Sequence, residues 1–398
     1  MIWTRLVFTV ALCIAFVSGA AANAAPPTFQ GLGDLFGGPF LSRAIGISGD
    51  GSTVVGSSES NIASQAFRWT SSGGMTNLGA LPGADASYSQ ATSASFNGTV
   101  VVGNSDSGNS GNSTEAFRWT TSTGMTGLGD LPGGLFSSKS FDVSADGSVV
   151  VGVGTATLDQ AFRWTQSLGM QGLGDLPGGD NFSVGRGVSG NGNIVVGLSS
   201  SAASKASSLT GVEAFRWTAG TGMQALGDLP GGLYYSVAVG ISADGNVIVG
   251  RSDTTVGFEA FRWTQAGGLQ GLGDLPGALF FSAAQDASGN GSVIVGQSES
   301  ASGQDAFIWN QAQGMRSIYN MLTIDYGLNL TGWTLTDATA ISDDGLVIIG
   351  DGINPSGNLE AWLVDLRPIP EPCSGVMLAA GLLGLISWRR KERQRSRA

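Results

Sequence analysis

The sequence repeats itself, and this more than anything else limits what the chain can fold into. The stretch Glu115 to Gly134, EAFRWTTSTGMTGLGDLPGG, returns in close copies along nearly the whole length. Its phenylalanine falls at Phe67, Phe117, Phe162, Phe215, Phe261 and Phe307, with Trp362 in the seventh place, at intervals of 50, 45, 53, 46, 46 and 55. A repeat of this period buries its apolar face only by stacking on its neighbours, so solenoids, propellers and arrays are the available architectures. Two further columns keep the same phase. A serine, two residues and a glycine recur seven times, from ISGDG at 47–51 to ISDDG at 341–345. The LGDLPGG box begins at Leu32, Leu78, Leu128, Leu173, Leu226 and Leu272, and decays to Ile318 in the last copy.

Each unit reads as four strands. Segment a leads into the serine, as in Ser236 to Ser242, and segment b is the β-branched run after it, as in Asn246 to Gly250. Segment c is the EAFRWT box, and segment d runs from the methionine column through LGDL. Between a and b stands Asp50, Asn97, Asp146, Asn191, Asp244, Asn290 or Asp344, always followed by glycine. Asp-Gly and Asn-Gly supply the positive φ of tight hairpin turns. Calcium binding is the alternative use for these aspartates, and the free exchange with asparagine speaks against it. Phe and Trp of segment c are two apart and share a face, with Ala and Arg on the other. A column of such aromatics reads as core rather than as a sugar-binding ladder, each contributing roughly 1.5–3 kcal/mol on burial.

The phase of the two ends decides between a closed and an open array. A lone d segment, Gln30 to Leu35, precedes the first full unit, and the chain's last unit stops after c, Leu359 to Leu366. The pairing of these two segments predicts an all-β, seven-bladed propeller of four-stranded blades, closed by an N-terminal strand that leaves no open sheet edge. A linear β-solenoid is the other architecture of this period, but it has no reason to begin one strand out of phase.

Outside the array the ends differ in kind. Residues 1–24 read as a signal peptide: Arg5, the apolar run Leu6 to Val17, then small residues ending at Ala24. Residues 25–368 are the propeller, and 369–398 carry Pro370-Glu371-Pro372, an apolar stretch from Val376 to Trp388 and six basic residues. The tripartite tail resembles the PEP-CTERM sorting signal of exported bacterial proteins. That resemblance implies transient inner-membrane anchoring with a cytoplasmic basic end, followed by removal by an exosortase and release to the cell surface or extracellular space. Cys373, directly after the second proline, departs slightly from the pattern. A plain C-terminal anchor is the alternative.

The EAFRWT and LGDLPGG boxes with ADGxVVVG resemble the HAF family of extracellular repeat proteins over about 340 residues. The family's histidine is replaced here by Gln65, Glu115, Gln160, Glu213, Glu259 and Asp305, in a chain with no histidine at all. This implies a structural role for that column. The resemblance extends to Leu330 to Gly350, and a short helix is expected within Met315 to Tyr326.

Composition then narrows the chemistry. Without histidine, and with Cys13 and Cys373 both in the end segments, the body has no serine-histidine triad, cysteine nucleophile, disulfide or usual zinc site. Removing seven of 19 basic and two of 30 acidic residues leaves 12 against 28, about −16, which repels nucleic-acid phosphates. No cofactor or metal is expected. Two carboxylates break the repeat, Asp142 and Asp286, each replacing a small residue two before the serine in segment a. If segment a lines the channel they face inward from blades three apart, as candidate channel carboxylates for a glycan-active enzyme. The box arginines Arg68, Arg118, Arg163, Arg216 and Arg262 are read as structural, with a salt bridge to an aspartate of the adjacent blade as one use. The expectation is a non-catalytic binding or structural module that meets exopolysaccharide or other envelope components.

Overall fold

Each Asp-Gly or Asn-Gly pair closes a hairpin in which the glycine takes φ between 65° and 77°, a region closed to most other residues. The preceding serine locks the turn. In blade 3, Ser144 Oγ donates to Asp146 Oδ1 at 2.7 Å and accepts from Val149 N at 3.0 Å. The same pair of bonds recurs at all seven turns.

A computed structural model describes residues 27–83, 87–109, 113–207, 211–277 and 279–368. Within Thr28–Arg367 there are seven four-stranded antiparallel sheets. Blade 1 consists of Gly37–Ile47, Thr53–Ser60, Ser64–Thr70 and Gly74–Asn77. Blades 2 to 6 repeat this order, with inner strands Ser89–Ala94, Ser138–Val143, Ser183–Val188, Gly231–Ile241 and Ser282–Ala287. Blade 7 is Thr334–Ile341, Val347–Ile353 and Leu359–Asp365, and its outer strand is Thr28–Gly31 from the other end of the chain. The inner strands pack side by side in a ring in which blade 7 meets blade 1. The fold is therefore the seven-bladed propeller expected from the phase of the repeats.

Closure differs in detail from the expectation. Thr28 to Gly31 pair with Asp365 to Trp362, two residues earlier than the expected start at Gln30. Strand d stops two residues after the methionine position, as in Gly124–Gly127, rather than running through LGDL, except in blade 4, where it reaches Gly227. The glycine of LGD takes φ near 80° and turns the backbone out of the sheet; Gly33 and Gly129 have φ of 75° and 80°. The residue two before the column phenylalanine supports this exit. Glu115, Glu213 and Glu259 accept from Gly129, Gly227 and Gly273 N at 3.1, 3.2 and 2.9 Å. Glu360 does the same for Gly33 across the closure, at 2.9 Å.

The core lies between blades. All six column phenylalanines and Trp362 are fully buried, each ring against the valine and alanine of the preceding blade, as Phe162 packs on Val102 and Ala116. The invariant glycine ending VVVG follows from a close approach: a Cβ on Gly152 would stand 1.9 Å from Lys139 O and 2.8 Å from the Phe162 ring. Every blade has this glycine under the inner strand's carbonyl.

Two sets of inter-blade hydrogen bonds were not anticipated. A second serine column, six residues before the first, staples neighbouring blades. Ser138 Oγ donates to Gly129 O at 2.6 Å and accepts from Ala116 N at 3.0 Å, both on blade 2. Equivalent serines at 42, 89, 183, 236 and 282 do the same. Around the hairpin rim, seven backbone bonds of 2.9–3.0 Å run from blade to blade, from Asp50 N to Phe96 O on round to Asp343 N to Gly49 O. The box arginines are structural, but not as ion pairs with the d-segment aspartates. Arg68, Arg118 and Arg163 Nε donate instead to the turn carbonyls of Gly98, Gly147 and Gly192 on the next blade, at 3.2–3.3 Å. The guanidinium reaches a carbonyl that the tight turn leaves unpaired, while Asp130 accepts from Ser137 and Thr155 N.

Met315 to Tyr326 contains the expected helical stretch, Ile318–Asn320 followed by Met321–Asp325. The b-to-c connection of blade 4 carries a short helix, Ala202–Ser207, where a loop was expected. Residues 1–24, expected to be a signal peptide, and Pro370, Glu371, Pro372 and Val376 to Trp388 lie outside the described residues. Among the described residues no helix is long and apolar enough to cross a membrane.

Candidate functional site: the channel and the variable rim

Every inner strand carries a β-bulge at the residue three before the turn serine, and those of blades 1, 5 and 7 have a second register shift nearer their start. The register slips across Ile45, Thr92, Phe141, Arg186, Val239, Gln285 and Thr339. A bulge leaves one residue unpaired and re-aims its side chain. Here all seven bulged residues line a cavity of about 320 Å³ along the propeller axis. The bulged column holds six residue types in seven blades, whereas the turn-serine column holds one. It was not recognised in the sequence, where its only signal is chemical irregularity within an otherwise regular repeat.

Asp142 and Asp286 both line this channel, so the expected inward placement holds. Their oxygens are engaged by the wall. Asp142 Oδ1 accepts from Ser93 Oγ and Val143 N at 2.7 and 2.8 Å, and Oδ2 accepts from Val188 N of blade 4 at 2.8 Å. Asp286 Oδ1 accepts from Ala287 N at 2.7 Å and Oδ2 from Ile341 N of blade 7 at 3.0 Å. Each carboxylate thus ties its inner strand to the next. Both are surrounded by protein while keeping an edge on the channel. Burial pushes Asp142 up to about 6 against the pull of these hydrogen bonds. It pushes Asp286 up to about 7, helped by the negative charges of Asp142 and Asp343.

Asp337 and Asp343, which sequence reasoning did not single out, complete an acidic wall. Burial, with Asp351 beside it, pushes Asp337 up to about 7, and its Oδ1 is buried with no hydrogen-bond partner. Asp351 is pushed up to about 6 by burial although Ala44 N and Arg43 bind it. Such values suit carboxyls that exchange protons near neutrality. Asp146, at a hairpin turn, differs: the Ser144 hydroxyl and the Ser148 amide hold it below the usual carboxylate range. No group of three or more His, Cys, Asp or Glu placed to hold a metal ion occurs among the described residues.

The b-to-c and d-to-a connections emerge on one rim, opposite the hairpins. Of the exposed large apolar side chains among the described residues, only Phe96 and Leu168 belong to the hairpin rim. The variable rim carries the rest, led by Phe36 at 99% exposure and Leu135 and Leu279 at 85%. The body's two ends, Thr28 and Asp365, pair beside Val347 at the hairpin rim, so the variable rim lies opposite the point where the C-terminal segment departs.

No protein-family model matches the chain, and no curated protein sequence does. Solved structures align at low identity. TolB from Acinetobacter baumannii aligns at 15% identity over 58% of this chain and 53% of its own, with a TM-score of 0.42. The mitotic checkpoint complex aligns at 13% over 87% and 96%, with a TM-score of 0.47. An acylaminoacyl peptidase in complex with Z-Gly-Gly-Phe-chloromethyl ketone aligns at 9% over 79% and 49%, with a TM-score of 0.47. The chain spans about half the length of that TolB structure. Likeness at this level says nothing of activity, and the blade count rests on the chain's own sheet order.

Proposed function

We propose that this propeller is an exported, non-catalytic binding or structural module of the cell envelope or extracellular matrix. In this reading it is delivered by its signal peptide, held briefly in the inner membrane by its C-terminal segment and released by an exosortase. The observation that carries the binding role is the gathering of exposed apolar side chains on the rim whose loops vary in length. Loops on a rigid scaffold are where binding residues concentrate, and exposed apolar side chains on them offer contact surface. The partner is an exopolysaccharide or another envelope component. The net charge of the body, about −16, favours neutral or cationic polymers over nucleic acid.

A glycan-active enzyme is the second reading, favoured by the raised proton affinity of Asp142 and Asp286. A binding screen of residues 25–368 against polysaccharides, run beside a hydrolase and lyase assay, separates the two. Saturable binding without turnover is expected, and turnover lost in Asp286→Asn would transfer the role to the enzyme. Two loops assign the binding face. Asn104 and Ser252 belong to strands, and Asn104 Oδ1 accepts from Ser140 N at 2.8 Å. The connection after Thr254 is already a two-residue turn before Gly257. The loops to cut are therefore 107–113 and 202–211. Shortening them is expected to weaken polymer binding while stability changes by roughly 0.5–1 kcal/mol. Undiminished binding in both variants, with loss on altering the opposite turns, moves the site to the hairpin rim.

Sorting has its own test. Replacing Pro370, Glu371 and Pro372 by alanine removes the processing landmark and keeps the apolar stretch, so unprocessed protein is expected to accumulate in the inner-membrane fraction. Normal release of that variant to the medium would overturn the exosortase route.

A further inference from the structure

The bulged position of blade 4 is Arg186, the one basic side chain among the described residues lining the channel. Its guanidinium carbon lies 4.4 Å from the centre of the Phe141 ring. Its N–H groups make no hydrogen bond within the described protein and can donate to a ligand. None of the ion pairs among the described residues involves Arg186; they join Arg43 to Asp351, Lys205 to Asp180, Arg316 to Asp325 and Arg367 to Asp365. Asp142 and Asp286 are turned to backbone amides instead. Arg251 on blade 5 is a second cation in the neighbourhood, 5.2 Å from the centre of the Phe258 ring and also without an ion pair. Burial, and after it the charge of Arg251, lowers the proton affinity of Arg186. The positive charge of Arg251 works against that of Arg186, and an oxyanion beside Arg186 relieves this repulsion.

Asp337 and Asp343 also line the channel, and burial raises the proton affinity of both, which lessens the negative charge that a bound anion meets; the other lining residues offer acceptors and apolar surface. Thr92 and Thr339 spend their hydroxyl protons on Ser140 O at 3.1 Å and Ala44 O at 2.9 Å, so toward a ligand they can only accept. Asp286 receives one amide on each oxygen and retains acceptor capacity. Gln285 adds an amide, and Ile45 and Val239 add apolar surface. A cavity of about 320 Å³ lies at the small end of ligand pockets and suits one sugar ring.

We propose that the bulged ring binds a small acidic sugar, its carboxylate on the free edge of Arg186 and its hydroxyls donating to the threonine and aspartate oxygens. This goes beyond the rim reading and stands apart from it: a polymer screen that fails leaves the channel site intact, and the converse also holds. Calorimetric titration of the full-length chain with D-glucuronate, D-glucose and inorganic phosphate is the test, on the wild type, Arg186→Gln and Arg186→Lys. Saturable glucuronate binding is expected, weakened about tenfold or more in Arg186→Gln. Arg186→Lys should fall between the two, because a point charge cannot replace the planar fork. Glucose and phosphate should each bind at least roughly tenfold more weakly than glucuronate, the one lacking the charge and the other the ring. Arg186 makes no hydrogen bond within the described protein, and loss of its contact with the Phe141 ring should lower the melting temperature by only about 1–2 °C, so the variants remain readable. Equal glucuronate affinity in wild type and Arg186→Gln overturns the proposal, as does phosphate binding as tightly as glucuronate, or no saturable binding to the folded wild type.

Discussion

Deletion of residues 25–36 is expected to lower the melting temperature by roughly 4–9 °C and to cause aggregation. The deleted segment supplies the outer strand of blade 7, and with it Leu32 and Leu35, both buried in the cluster that joins blades 7 and 1. Their burial is worth about 3–6 kcal/mol together. A body of this size unfolds with an entropy that converts each kcal/mol into roughly 1.4 °C. The remaining edge, Leu359–Asp365, would present unpaired amides and carbonyls in a strand that is otherwise buried, which invites pairing with another chain. Differential scanning calorimetry with light scattering checks both effects. An unchanged melting curve in a monodisperse sample would mean that the ring does not depend on its N-terminal strand.

The aromatic column should be the most sensitive set of single positions. Phe162→Ala is expected to cost about 3–5 kcal/mol, since it removes a fully buried ring and leaves a cavity that two sheets cannot collapse to fill. Gly152→Ala tests the same contact from below. Its Cβ would strike Lys139 O as well as the ring, so overpacking costs roughly 1–3 kcal/mol and removing the ring does not rescue it. Arg163→Gln, which loses one hydrogen bond to Gly192 O, should cost only about 1 kcal/mol. Chemical denaturation of the four proteins gives the order directly. A Phe162→Ala cost no greater than that of Arg163→Gln would show that the column is not the main source of cohesion.

Much of the architecture was legible because it is written in local chemistry and repeated seven times. Asp-Gly and Asn-Gly demand hairpins wherever they fall, the alternation of Phe and Trp demands a buried face, and a unit beginning one strand out of phase demands a partner at the far end. Each statement needs only neighbouring residues, and the repetition averages away the exceptions. The channel position of Asp142 and Asp286 was legible for the same reason, since two carboxylates in a column of small residues are conspicuous. Which atoms would hold them was not. Val188 N and Ile341 N belong to other blades, 46 and 55 residues further along the chain.

What the tertiary structure alone decided lies where one strand meets another. The length of strand d was overread because the positive φ of Gly129 and its equivalents, and the carboxylate of Glu115 that receives the turned amide, depend on contacts between strands. The stapling serines look like any serine at a strand start until the neighbouring blade supplies a carbonyl and an amide. The bulge is the clearest case. It adds one residue to one strand of a pair, so it is a property of pairing register that neither strand's sequence contains. By that single residue's offset it turns Arg186 and the rest of its column into the channel, because a pleated strand that gains a residue reverses which face its next side chain meets.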